Sequence, residues 1–166
     1  VTLFNLEVLN RGSDYDTALL TITDVNRPGL QFHSFYDYFD PRRLQVLGKA
    51  EITYLKGLTT EQRRKCFDDL FLYDIPALVI SRGLDCFPEC LESARVHERT
   101  LLRTEETTVE FTSHTIEYLN RVLAPCVTRH GVLLDISGEG VMITGDSGIG
   151  KSESAIELIM RGHRLV

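Results

Sequence analysis

Apolar and polar residues alternate over residues 3–9 with the period of a half-buried strand, and a run rich in Thr and Ile at residues 18–25 predicts a second. Asn26, Arg27, Pro28 and Gly29 are turn chemistry, Pro presetting its own φ. An acidic aromatic segment follows, and its Phe35, Tyr36, Tyr38 and Phe39 are expected to pack in the core rather than stack on a base. Asp40 before Pro41 reads as the N-cap and first turn of a helix. Residues 59–72 have helical spacing, with Thr60 as a cap and Cys66, Leu70 and Phe71 along one side. A buried strand is expected at 76–80, a helix at 88–98 and a strand at 100–103. A last helix is expected at 113–123, with Ile116, Leu119, Val122 and Leu123 on one face. This alternation predicts an α/β domain whose mainly parallel sheet is flanked by helices.

Pro125 disfavours α geometry at Ala124, so that helix ends there and a domain boundary is expected. Residues 1–125 then form one domain and 126–166 the beginning of a second. Within the second, residues 132–136 and 141–143 read as strands joined by Ser137, Gly138, Glu139 and Gly140. So short a connection, with two glycines, predicts an antiparallel hairpin. No internal repeat interrupts the pattern.

Composition narrows the function classes. The 166 residues are 43% hydrophobic and 25% charged, ordinary globular usage, with a formal net charge of −6. A negative chain has no surplus of cations for general binding to nucleic acid or an anionic membrane. Neither an export signal nor a membrane span is visible, so a cytoplasmic protein is expected. The four cysteines contain no C-x-x-C pair. Cys86, Cys90 and His97 can be imagined around zinc, but half-buried reduced thiols are the preferred reading.

The chemistry lies near the C-terminal end. Gly145, Asp146, Ser147, Gly148, Ile149, Gly150, Lys151 and Ser152 satisfy G-x-x-x-x-G-K-[ST], between a predicted strand and a predicted helix at 151–161. Such a loop turns successive backbone N–H groups toward phosphate oxygens, at the positive end of the following helix. Lys151 would reach the β and γ phosphates, and the Ser152 hydroxyl would serve Mg²⁺, a hard cation that prefers oxygen. Asp146 is expected to point its carboxylate away from an anion, and Glu153 to favour the helix dipole. His130 stands where the hairpin can bring an imidazole toward the loop. Strand parity puts His130, Val132, Leu134 and Ile136 on one face and Leu133 and Asp135 on the other, which makes Asp135 a poor partner for His130, though its carboxylate can be proposed as an acid that holds Mg²⁺. Phosphoryl transfer also needs a group to orient or deprotonate the acceptor, and usually a second acid on the metal.

Residues 130–136, 140–153 and 161–166 closely resemble the start of the catalytic domain of the HPr kinase/phosphorylase family. Upstream, residues 26–30, 38–40, 45–48, 75–84 and 123–125 resemble that family's N-terminal domain. The resemblance implies a bifunctional, homohexameric bacterial regulator of carbon metabolism. It would phosphorylate a serine of the phosphocarrier HPr with ATP or pyrophosphate and remove the phosphate by phosphorolysis. It implies a kinase domain related to phosphoenolpyruvate carboxykinase, a catalytic role for His130, phosphate contact by Lys151 and Mg²⁺ binding through Ser152. Members of the family continue into an aspartate pair that is absent here, so the polypeptide as given is expected to be inactive alone. Two competing readings are a non-catalytic α/β regulatory or oligomerisation module with an unused P-loop remnant, and an unrelated P-loop GTPase or ATPase. The hairpin speaks against the second.

Overall fold

The computed structural model describes residues 4–166. The chain divides into two compact units, Val1–Ala124 and Pro125–Val166. The first is a five-stranded sheet in the order β1-β5-β4-β3-β2, made of β1 (Glu7–Asn10), β2 (Val25–Asn26), β3 (Leu44–Leu47), β4 (Leu78–Ile80) and β5 (Leu101–Arg103). Strands β2 to β5 run parallel and β1 is antiparallel at the edge. The expected α/β class, mainly parallel and flanked by helices, is what forms. The helices are α1 (Lys49–Lys56), α2 (Thr60–Phe71), α3 (Pro88–Val96) and α4 (Thr108–Val122).

The period of two along each strand divides the core between the two faces. Leu47, Leu78, Ile80 and Leu101 join Ile52, Leu55, Phe67, Leu70 and Phe71 on one side. Leu44, Val46, Val79 and Leu102 join Phe111 of α4 on the other. Gln45 is fully buried, and it is satisfied by a hydrogen bond from Asn26 Nδ2 at 2.6 Å and one to the Arg43 carbonyl at 2.7 Å.

Several local expectations are corrected. The strand expected at 3–9 begins at Glu7, Leu3 lying outside the described residues. Of the run at 18–25 only Val25 enters the sheet. No helix starts at Pro41. The Asp40 carboxylate instead accepts the Arg42 backbone N–H at 3.0 Å and binds its guanidinium, closing a turn that feeds β3. A strand buried on both faces has no polar side to reveal its period, so the sequence pattern missed both β3 and the helix α1 behind it.

The cap of α2 is Thr59 rather than Thr60. Its hydroxyl accepts from Gln62 N at 3.3 Å, while Gln62 Oε1 accepts from Thr59 N at 3.0 Å. Thr107 and Glu110 repeat the arrangement at α4, which therefore starts five residues before the expected Ser113. The face that α4 buries is Thr108, Phe111, Thr115 and Leu119, and Val122 is exposed. Among the aromatics, Tyr36 stacks on Tyr73 at 4.8 Å and Phe39 packs against the core. Tyr38, by contrast, is 92% exposed. No helix among the described residues is long and apolar enough to cross a membrane.

Candidate phosphate-binding site

The second unit is built on a hairpin of β6 (Gly131–Ile136) and β7 (Glu139–Thr144) in continuous antiparallel register from Gly131↔Thr144 to Ile136↔Glu139. The connection is tighter than the sequence suggested: only Ser137 and Gly138 lie between the strands, with φ of 57° and 89°. Two left-handed residues in succession match the natural twist of paired strands. Asp135 closes the turn, its Oδ1 accepting the Gly138 N–H at 2.8 Å. Its Oδ2 meets Arg164 at 3.2 Å, on the short strand β8 (Arg164–Leu165) that pairs with the other edge of β6. Both oxygens of Asp135 are thus engaged in holding the unit together. Leu134 is fully buried.

The loop of residues 145–152 leaves β7 directly and enters α5 (Lys151–Met160). Gly148 and Gly150 have φ of 82° and 93°, conformations that a side chain would strain, and Gly150 is also the N-cap of α5. Gly145, Asp146, Ser147, Gly148 and Ile149 are all exposed. Lys151 folds back over the loop, its Nζ donating to the carbonyl oxygens of Gly145 at 2.9 Å and Asp146 at 2.6 Å. The ammonium is therefore held above the backbone of the loop by contacts that an anionic ligand can replace. Ser152 is exposed in the first turn of α5, and so is Glu153. Ala155 anchors the helix by burial.

His130 is the residue before β6, and the Gly131↔Thr144 pair sets it beside the point where Gly145 begins the loop. The hairpin register thus brings His130 and the loop to the same end of one sheet. The role of Arg164 and β8 in clamping Asp135 carried no signal in the sequence, because a two-residue strand has no period to read. In the first unit, His97 Nε2 lies 3.5 Å from Asp68 rather than with the cysteine pair. No group of three or more His, Cys, Asp or Glu able to hold a metal occurs among the described residues.

Residues 1–119 match the family described as HPr Serine kinase N terminus, and residues 121–166 match the HPr Serine kinase C-terminal domain. The HPr kinase/phosphorylase of Alkaliphilus metalliredigens is 49% identical over 98% of this chain and 52% of its own length. That of Clostridium beijerinckii is 49% identical over 98% of this chain and 53% of its own. The chain spans about half the length of these curated relatives. A solved structure of the CBS and DRTGG domains of the regulatory region of Clostridium perfringens pyrophosphatase, complexed with diadenosine tetraphosphate, aligns with 69% of this chain and 43% of that one. Its TM-score is 0.47 at 14% identity. On the two domain matches and the close relatives, the chain belongs to the HPr kinase/phosphorylase family.

Proposed function

We propose that the protein phosphorylates a serine of the phosphocarrier HPr with ATP or pyrophosphate, and removes that phosphate by phosphorolysis with inorganic phosphate. The observation that carries this reading is the hairpin-fed loop with the Lys151 ammonium held over the carbonyls of Gly145 and Asp146. In the forward direction the serine oxygen forms a bond to the terminal phosphorus of the donor, and the bond to ADP or phosphate breaks. In reverse, an oxygen of inorganic phosphate attacks phosphoserine, and serine and pyrophosphate leave.

Residues 145–150 supply backbone N–H groups to the phosphate oxygens, and Lys151 balances charge on the transferring group. The Ser152 hydroxyl suits Mg²⁺ as one oxygen ligand among phosphates and water, and Mg²⁺ there would neutralise charge between donor phosphates. His130, at the same end of the sheet, is assigned to the catalytic group, where an imidazole can exchange a proton with the acceptor. Residues 1–125 are assigned to regulation and assembly, within a cytoplasmic homo-oligomer that the resemblance makes a hexamer. Residues 126–166 are assigned to the N-terminal part of the kinase domain.

The test is transfer itself. The full-length protein carrying this chain, incubated with Mg²⁺, HPr and either ATP or pyrophosphate, should yield phosphoserine by mass spectrometry, and Lys151→Ala should abolish it. Phosphate found on another residue type, or unchanged transfer by the variant, would refute the assignment.

A further inference from the structure

Cys86 lies between β4 and α3, beyond the carboxyl ends of the parallel strands, where open α/β sheets present ligand sites. It lines a cleft of about 230 Å³ with Ile52, Lys56, Asp85 and Phe87, and is itself half-buried. Four residues on, in the first turn of α3, Cys90 is 1% exposed, in the core cluster against which Cys86 packs, while the Cys86 thiol donates to the Phe87 carbonyl at 3.4 Å. One thiol therefore faces an open cleft, and its partner stands behind it in the core.

The surroundings divide the work between the two sulfurs. The Cys90 thiol, the charge of Arg103 and the backbone N–H of Leu91 favour the thiolate at Cys86, against desolvation and the nearby Glu89, so this thiol sits below the ordinary range. Burial, followed by the Cys86 thiol, pushes Cys90 up and keeps it protonated. Cys66 differs: it is buried, raised chiefly by desolvation, and its Sγ contacts the Phe32 carbonyl at 3.4 Å.

We propose that Cys86 and Cys90 form a reversible disulfide, Cys86 attacking a small peroxide in the cleft and Cys90 resolving the product. The Cys86 thiolate bonds to one peroxide oxygen, the O–O bond breaks, and the other oxygen leaves as water after taking a proton. Cys86 is then a sulfenic acid. The Cys90 sulfur attacks it, the S–S bond forms and the S–O bond breaks, and the hydroxyl leaves as water with the Cys90 proton. Two thiols have reduced one peroxide. The cross-link would tie the approach to α3 onto its first turn, next to Phe87, over which the Arg63 guanidinium lies at 5.0 Å.

Trypsin cuts after Arg82 and Arg95, so peptide 83–95 carries both cysteines. The protein is exposed to hydrogen peroxide, alkylated, and digested without reductant. The peptide should be recovered two hydrogens lighter and unalkylated, and dithiothreitol should restore it. Cys90→Ser should stop at a sulfenic acid on Cys86 that dimedone traps, and Cys86→Ser should leave Cys90 reduced under the same dose. Recovery of the wild-type peptide alkylated at both cysteines would overturn the proposal, as would equal oxidation of Cys90 in Cys86→Ser. The wild-type map reads the outcome even if a variant folds poorly.

Discussion

Gly131 and Thr144 pair at the open end of the hairpin, so the chain enters β6 from His130 and leaves β7 into Gly145 at neighbouring positions. The register sets His130 next to the start of the loop, and the roles proposed for the two can be tested apart by substitution. His130→Ala should leave pyrophosphate binding to the loop unchanged, because no residue of the loop is altered. In the full-length protein the same change should slow transfer to HPr by about 10²- to 10⁴-fold, the usual worth of a positioned acid or base. Parallel loss of binding and transfer would instead make His130 structural.

Asp135 faces the opposite test. Asp135→Ala should destabilise the second unit by about 1–2 kcal/mol in urea denaturation, since the Gly138 N–H loses a charged acceptor. Arg164→Ala should cost under about 1 kcal/mol, because the Arg164 side chain is 83% exposed and its pair with Asp135 is screened. Asp135→Asn should leave Mg²⁺-dependent nucleotide binding unchanged. A loss of Mg²⁺ affinity would show that the carboxylate serves the metal.

In the first unit, Arg63 binds Glu89 at 2.8 Å and the Leu58 carbonyl at 2.9 Å, with both charged side chains largely buried. Arg63→Met should cost about 3 kcal/mol or more, since Glu89 would be left buried and unpaired. The hydrogen bond from Arg63 holds the Glu89 carboxyl below its ordinary value of 4.5. A depressed carboxyl contributes stability above the unfolded value and loses it as pH falls through the folded one. Denaturation followed downward from neutral pH should therefore show a shallower acid decline in Glu89→Gln than in the wild type. Identical slopes would remove this pair from the acid response.

The helix caps give a sharper local test. Thr59→Ala and Thr107→Ala should each cost about 1 kcal/mol in chemical denaturation, whereas Thr60→Ala should cost much less. Equal costs at Thr59 and Thr60 would contradict the assigned start of α2.

What the sequence made legible follows from period and chemistry. The buried side of α2, the helix α3, the hairpin and the loop at 145–152 each carry a strong local pattern, and each forms. Strand β3 does not announce itself, because Leu44, Gln45, Val46 and Leu47 are all buried and Gln45 is tolerated only through Asn26 and Arg43. The Asp40–Pro41 pair resembles a helix start, but Arg42 captures the carboxylate that would cap it. The placement of His130 beside the loop depends on register, which spacing suggested and only the pairing of Gly131 with Thr144 defines. The clamp between Asp135 and Arg164 joins residues far apart in the chain and had no local signal.

If residues 145–152 cradle phosphate through Lys151, a phosphate ligand must stabilise the fold. The decisive measurement is melting of this chain with and without Mg²⁺ and pyrophosphate. Ligand at about a hundred times its dissociation constant should stabilise the wild type by about 2.7 kcal/mol, read as a higher melting temperature. Lys151→Ala, whose loop loses the ammonium over Gly145 and Asp146, should show no shift at the same concentration. An unshifted wild type, or an equal shift in the variant, would rule out a phosphate site at this loop governed by Lys151.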